Sequence, residues 1–191
     1  MLKRVRGIFN GDNAAERDAA YLYAALMEQS RDPAFYRDLG VPDTQEGRAE
    51  VLILHVAPVM HRLAQLRDNG KKLSQALFDA LRENFDIGLR EEGYTDSGVK
   101  RRIKPLIQRF YAGLAAYTKA FDSGGRTELR DAVATDLDGL GEAELDALAQ
   151  YMRDFRARLD DAALGRIARA RLDFPATDFA TSGALGIAPS Q

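Results

Sequence analysis

VPDTQEGRAEVLILHVAPVMHRLAQLRDNG, residues 41–70, carries helix signals at both ends and an apolar face between them. Pro42, Asp43 and Thr44 are helix-start residues: proline presets φ, and short polar side chains accept hydrogen bonds from the orphan amides of a first turn. Gly70 is a stop residue, able to take the left-handed conformation that satisfies the last carbonyls. Leu52, Val56, Val59, Leu63 and Leu66 recur at spacings of four, three, four and three, which is one face of a helix. Ile53, Leu54, Ala57 and Met60 widen the stripe until little of the middle is polar, and a helix that apolar is buried on most sides. The expectation is a central helix over residues 44–69 with the other helices packed around it. Pro58 lies inside it and removes a backbone bond toward Leu54, which predicts a kink.

Working outward, Asp12 or Asn13 is placed to cap a first helix that buries Ala19, Leu22, Tyr23 and Leu26. Asp32-Pro33 ends that helix and starts a short one through Phe35, Tyr36 and Leu39, closed by Gly40. Beyond the central helix, Leu73, Leu77, Leu81, Phe85 and Leu89 recur every four residues from Lys71 up to a stop at Gly93. Residues 94–98 read as a loop. The next periodic run is Val99, Ile103, Leu106, Phe110, Leu114, Tyr117 and Phe121, in which Pro105 implies a later start or a kink. Residues 127–139 and 142–160 read as two further amphipathic helices, and a last helical piece runs from Asp160 or Asp161 to about Leu172. No alternating β-branched run appears. The reading is all-α: one compact domain of about seven helices over residues 12–175, a basic segment at 1–11, and an unstructured tail at 176–191.

Composition narrows the function classes. The 191 residues carry 27 Lys and Arg against 29 Asp and Glu, so the chain as a whole is no polyanion binder, and no DNA partner is expected. Absence of cysteine excludes disulfides, thiolate metal sites and a cysteine nucleophile. The two histidines, His55 and His61, lie six residues apart on one helix and diverge too far to share a metal as an i, i+4 pair does. No run approaches a membrane span, and MLKRVRGIFNG is too short in apolar residues for a secretion signal. A cytoplasmic location is expected.

Chemistry-bearing motifs are missing. ATDLDGLGEAEL has Asp136 and Asp138 at the third and fifth positions of a calcium loop, yet Ala134 and Leu145 stand where the first and twelfth ligands belong. No nucleotide-binding glycine motif, zinc-binding helix or nucleophile elbow occurs, so neither an enzyme nor a cofactor is expected. The strongest electrostatic feature is VKRRIKPLIQRFY. Lys100, Arg101, Arg102, Lys104 and Arg109 carry positive charge with no acid between them, and Lys71 and Lys72 extend this ridge in the sequence reading. A ridge of this kind is a solvated face or a contact for lipid headgroups, ribosomal RNA or an acidic partner. Residues 128–146 form a balancing acidic stretch. His55 is read as a partly buried histidine on the flank of the central helix, bonded to a carbonyl or an acid.

These residues resemble the ubiquinol–cytochrome c chaperone family. The resemblance is carried by FYRDLGVPDT at residues 35–44, Arg48, Leu52-Ile53-Leu54-His55-Val56, Arg62-Leu63, Ala76-Leu77-Phe78, Arg90 and Lys100. Phe110-Tyr111, Tyr117, Tyr151-Met152-Arg153, Gly165-Arg166 and Phe174-Pro175 complete it, over roughly Tyr21 to Pro175. Asp43, Arg48, His55, Phe110, Tyr111 and Tyr117 are the positions it marks. It implies a helical, non-enzymatic assembly factor for the cytochrome bc1 complex that binds newly made cytochrome b, or another subunit of that complex, with a small partner and the ribosome. It also implies peripheral contact with the anionic inner face of the membrane. The long N-terminal extension of mitochondrial members is lacking, which fits a bacterial member. The rival readings are a ribosome- or RNA-binding helical module using the same ridge, and a small-molecule-binding or catalytic helical domain.

Overall fold

The computed structural model describes residues 14–137 and 139–179. Among them the chain forms eight helices and no strand: α1 (Ala14–Ser30), α2 (Pro33–Arg37), α3 (Gln45–Gln65), α4 (Asp68–Glu91), α5 (Asp96–Ser123), α6 (Arg126–Asp136), α7 (Glu142–Leu159) and α8 (Leu164–Ala168). The basic segment at residues 1–11, Asp138 and most of the expected tail lie outside the described residues.

α3 is the hub, in contact with α1, α4, α5 and α7. Thr44 starts it, its hydroxyl accepting from the Gly47 amide at 3.1 Å. From Val51 to Val59 every residue is buried, so no face of this stretch meets water. The helix runs on through Pro58. Its end differs from the expectation over 44–69. The chain breaks at Leu66 and Arg67, where Arg67 takes φ 51°, and α4 begins at Asp68. Gly70 is therefore no terminator. It lies inside α4's first turn, where a Cβ would stand 2.0 Å from the Leu63 carbonyl oxygen. The glycine permits close backbone approach across the α3–α4 corner, a second reason for glycine that a helix-stop reading does not distinguish.

Gly40 and Gly93 terminate α2 and α4 as expected, both at positive φ. The loop at 94–98 is shorter than expected, because Thr95 already caps α5, and α5 continues through Pro105 as one helix. α4 and α5 make a long hairpin clasped at its turn by Arg90, which pairs with both Asp86 and Asp96. Between Val99 and Phe110 no residue of α5 is fully buried, and neither Leu89 nor Val99 belongs to the central core. The hairpin tip is thus an arm with its own small apolar contact.

The last helical piece is one turn, Leu164–Ala168, not a helix from Asp160 to Leu172. Ala170 at φ 53° ends it, and an extended segment follows. That segment packs past residue 175: Pro175 is buried and the Phe179 ring lies 5.4 Å from that of Phe35. Residues 176–179, read from sequence as the start of an unstructured tail, are part of the folded unit.

Candidate functional site

Of the residues that sequence marks, α5 gathers the most. Lys100, Lys104, Ile107 and Tyr111 follow one another at spacings of four, three and four, so they line one face of the helix. Lys100 and Lys104 are exposed and Ile107 is half-buried. Tyr111 is 51% exposed, one of three large hydrophobic side chains left exposed among the described residues, with Tyr21 and Ile87. Its ring lies 5.1 Å from that of Phe78 on α4, which in turn packs at 5.8 Å on the buried Phe110. The result is an aromatic patch fixed from below by the core and continued along the same helix face by two ammonium groups. Arg101 is also exposed on the arm, while Arg102 lies 4.1 Å over the Tyr94 ring, which anchors it to the hairpin turn.

Two parts of the expected ridge lie elsewhere. Lys71 and Lys72 are exposed, but at the opposite end of the α4–α5 hairpin. The Phe78–Phe110 contact sets the register of these antiparallel helices, and at 1.5 Å rise per residue it puts both lysines about 20 Å from Lys100–Lys104. Arg109 turns toward the fold. Its guanidinium pairs with Glu50 of α3 and donates to the Asp136 carbonyl at 3.4 Å. Its side chain, still 44% exposed, covers a buried polar cluster from the solvent side.

That cluster was not legible in the sequence. Glu50 is 1% exposed, directly before α3's apolar stretch. Burial, with the Asp136 charge opposing a second anion nearby, pushes its carboxyl up to about 7, while Arg109 pulls the other way. Burial also raises Asp136, partly offset by the hydroxyl of Tyr117, which donates to it at 3.1 Å, and by Arg109. Tyr117 is fully buried and its phenol is pushed well up by burial, with the neighbouring Asp136 and Glu50 charges adding to the effect. α5 approaches closely here because Gly113 lies where a Cβ would be 3.3 Å from both Asp136 and Ile53. The acidic stretch and the basic run therefore meet at Arg109 and Asp136. A second tie, Arg130 to Glu142 at 3.3 Å, joins α6 to α7.

His55 is not on a flank. It is fully buried among Phe35, Tyr151, Phe155 and Phe174. Nδ1 lies 2.7 Å from the Val51 carbonyl oxygen, which only accepts, so Nδ1 carries the hydrogen and Nε2 accepts from the Tyr151 hydroxyl at 2.9 Å. Gln29 donates to that hydroxyl at 3.3 Å. Burial lowers His55 to about 4, so the ring is neutral and structural. The expected bond to a carbonyl is present. His61 points elsewhere, toward Asp122 at 3.0 Å. Asp43 and Arg48 form an exposed ion pair at 2.6 Å beside the start of α3.

Among the described residues no group of acids and histidines could hold a metal ion, and no helix is long and apolar enough to cross a membrane. The architecture is a helical bundle: buried polar groups hold α3, α5, α6 and α7 together, and an aromatic and basic face is left outside. The ubiquinol–cytochrome C chaperone family model matches residues 37–174, and the chain belongs to that family. The crystal structure of the Cbp3 homolog from Brucella abortus is similar in fold, with a TM-score of 0.76 and 28% sequence identity, covering 86% of this chain and 92% of that one. No curated relative matches the chain.

Proposed function

We propose that this protein is a non-enzymatic chaperone of cytochrome bc1 assembly that holds newly made cytochrome b, or another subunit of that complex, at the membrane surface through the α4–α5 face. The observation that carries the reading is the exposed Tyr111 ring, stacked on Phe78 and in line with Lys100 and Lys104. Aromatic side chains with one apolar body and one polar tip suit a boundary between water and a hydrophobic partner. The two lysines on the same face suit anionic headgroups beside it. Family membership supports the assembly role, and the arm-like projection of the hairpin supports its use as the contact.

Each basic residue near an anionic surface contributes about 1 kcal/mol. The double variant Lys100→Gln/Lys104→Gln should therefore lower partition onto phosphatidylserine vesicles by about 30-fold, with an unchanged helical circular dichroism spectrum. Tyr111→Ser should weaken capture of cytochrome b from gently solubilised membranes, in an interaction that survives raised salt. Equal capture by wild type and Tyr111→Ser would exclude this face. Capture of ribosomal RNA and protein instead, lost steeply as salt rises, would replace the chaperone reading by a ribosome-associated one.

A further inference from the structure

The run at residues 35–44 and Arg48 carry part of the family resemblance and have no part in the α4–α5 face. They fold onto one another. Asp32 caps α2 through the Ala34 amide at 2.9 Å, and the Tyr36 hydroxyl donates to the Ser30 carbonyl at 2.7 Å, which ties α2 back onto the end of α1. Gly40 at φ 68° turns the chain, and the loop that follows lies directly on the first turn of α3. Gly47 permits this approach, since a Cβ there would stand 2.0 Å from the Pro42 carbonyl oxygen.

The corner so formed borders an open cavity of about 650 Å³ lined by Arg31, Pro33, Tyr36, Arg37, Asp43 and Arg48. Three guanidiniums from the α1–α2 turn, α2 and α3 therefore line one space with a single carboxylate, on a chain whose formal net charge is −2. Each is held differently. Arg37 is clasped by Asp38, which does not line the cavity, with Nε and Nη2 donating at 2.6 and 2.8 Å. Arg48 gives Nε to Asp43 at 2.6 Å, and its two η nitrogens have no partner among the described residues. Arg31 pairs with no acid among the described residues. The Tyr36 phenol, raised by burial, also feels the charges of Arg48, Asp43 and Arg31, which places these groups around one oxygen.

The two carboxylates thus orient Arg37 and Arg48 without using all of their donors. A planar carboxylate ligand is satisfied by one guanidinium fork, whereas a tetrahedral phosphate offers oxygens in more directions and takes donors from several guanidiniums at once. The cavity is much larger than a phosphate alone, and Pro33 with the Tyr36 ring gives part of it an apolar wall. We propose that this corner is a binding site for a phosphate ester, with Arg31, Arg37 and Arg48 donating to the phosphate and Pro33 and Tyr36 lying against its carbon-bearing group. The site is separate from the α4–α5 face and stands without the client reading. Its ester is a phospholipid headgroup or a small soluble phosphate. The fold puts the first within reach: Arg109 pairs with Glu50 and the Phe121 ring lies 5.3 Å from that of His61, so α3 and α5 run parallel. The start of α3 and the Lys100–Lys104 arm lie at the same end of the bundle, where one anionic surface can meet both.

Two probes separate the sources: sn-glycerol 3-phosphate titrated calorimetrically into the full-length protein, and flotation with phosphatidylcholine vesicles that contain phosphatidylglycerol. Arg31→Gln/Arg48→Gln removes two exposed donors from the cavity, and Lys71→Gln/Lys72→Gln removes the same charge from another exposed site as a control. The arginine variant should bind one or both probes at least about tenfold more weakly than wild type. The control should match wild type, and both variants should keep its helical circular dichroism spectrum. Weakening with vesicles assigns the site to a lipid headgroup, and weakening with glycerol phosphate alone assigns it to a soluble ester. Arg31→Lys/Arg48→Lys keeps the charge and loses the fork, so it should also bind more weakly; wild-type binding by it would reduce the corner to a diffuse charge effect and overturn the site. Binding of neither probe by wild type, or equal binding by the arginine variant and the control, also overturns it. If the arginine variant loses vesicle binding and Lys100→Gln/Lys104→Gln does not, the α4–α5 face fails as the membrane contact and the phosphate site stands.

Discussion

Glu50→Gln should make this protein more stable above neutral pH and leave it nearly unchanged in mild acid. Glu50 is buried against α5 and α6, and its carboxyl is pushed from an ordinary 4.5 up to about 7. The folded state therefore holds a proton that the unfolded chain releases between these values. Stability contributed by this group is complete below about pH 4.5 and is lost as pH rises toward about 7. At about 1.36 kcal/mol per pH unit the loss is up to about 3 kcal/mol. The Arg109 ion pair does not remove it, because the attraction falls short of the cost of desolvating an anion beside Asp136. Glutamine has the shape of the protonated acid and never ionises. Urea unfolding of both proteins from pH 5 to pH 8.5 should give matching free energies at the acid end and a gap of about 2–3 kcal/mol in favour of the variant at the alkaline end. His55 works in the opposite sense, since its lowered value makes folding less favourable as pH falls from about 6.5 to about 4. It acts equally in both proteins, so the difference between the two curves isolates Glu50. Parallel curves, or a variant less stable at pH 8, would refute the account of a strained buried carboxylate.

Two further substitutions test the packing that positions the candidate surfaces. Tyr151→Phe removes the hydroxyl that bridges His55 and Gln29, leaving Nε2 of a fully buried ring without its donor; chemical denaturation should show a loss of about 1–3 kcal/mol, and no loss would mean that the bridge is not formed. Gly70→Ala puts a methyl group onto the Leu63 carbonyl oxygen at the α3–α4 corner, a clash with backbone that no side-chain rotation relieves. It should cost about 3 kcal/mol or more, read as a lowered melting temperature, whereas Gly88→Ala on the same helix, with open space around it, should be neutral or slightly stabilising.

The helices were legible because each of their causes is local. Leu52, Val56, Val59 and Leu63 state a helical face by spacing alone, and α3 buries them all. Asp32-Pro33 and Thr44 state helix starts through their own side chains and backbone, and both act as such. Boundaries failed where the cause was a neighbour. Gly70 satisfies the chemistry of a stop, but the Leu63 carbonyl passing beneath it gives it another task. Residues 176–179 have no period, and they are ordered by Asp32, Phe35 and Tyr151, which no local rule connects to them.

The same division holds for the surfaces. Lys100, Lys104 and Tyr111 share a helix face by arithmetic that needs only the sequence. Arg109 looks identical to them in sequence, yet its guanidinium is held by Glu50, which lies 59 positions earlier in the chain. The sequence by itself determined the helical class, the central helix and the family to which the chain belongs, since apolar period, caps and motif are properties of neighbouring residues. The tertiary structure alone decided which charges stay in water, which carboxyl is held against its will, and which rings the chain's own end covers. Those outcomes depend on desolvation and on contacts between residues as distant as Asp32 and Thr177, and such contacts exist only once the helices have packed.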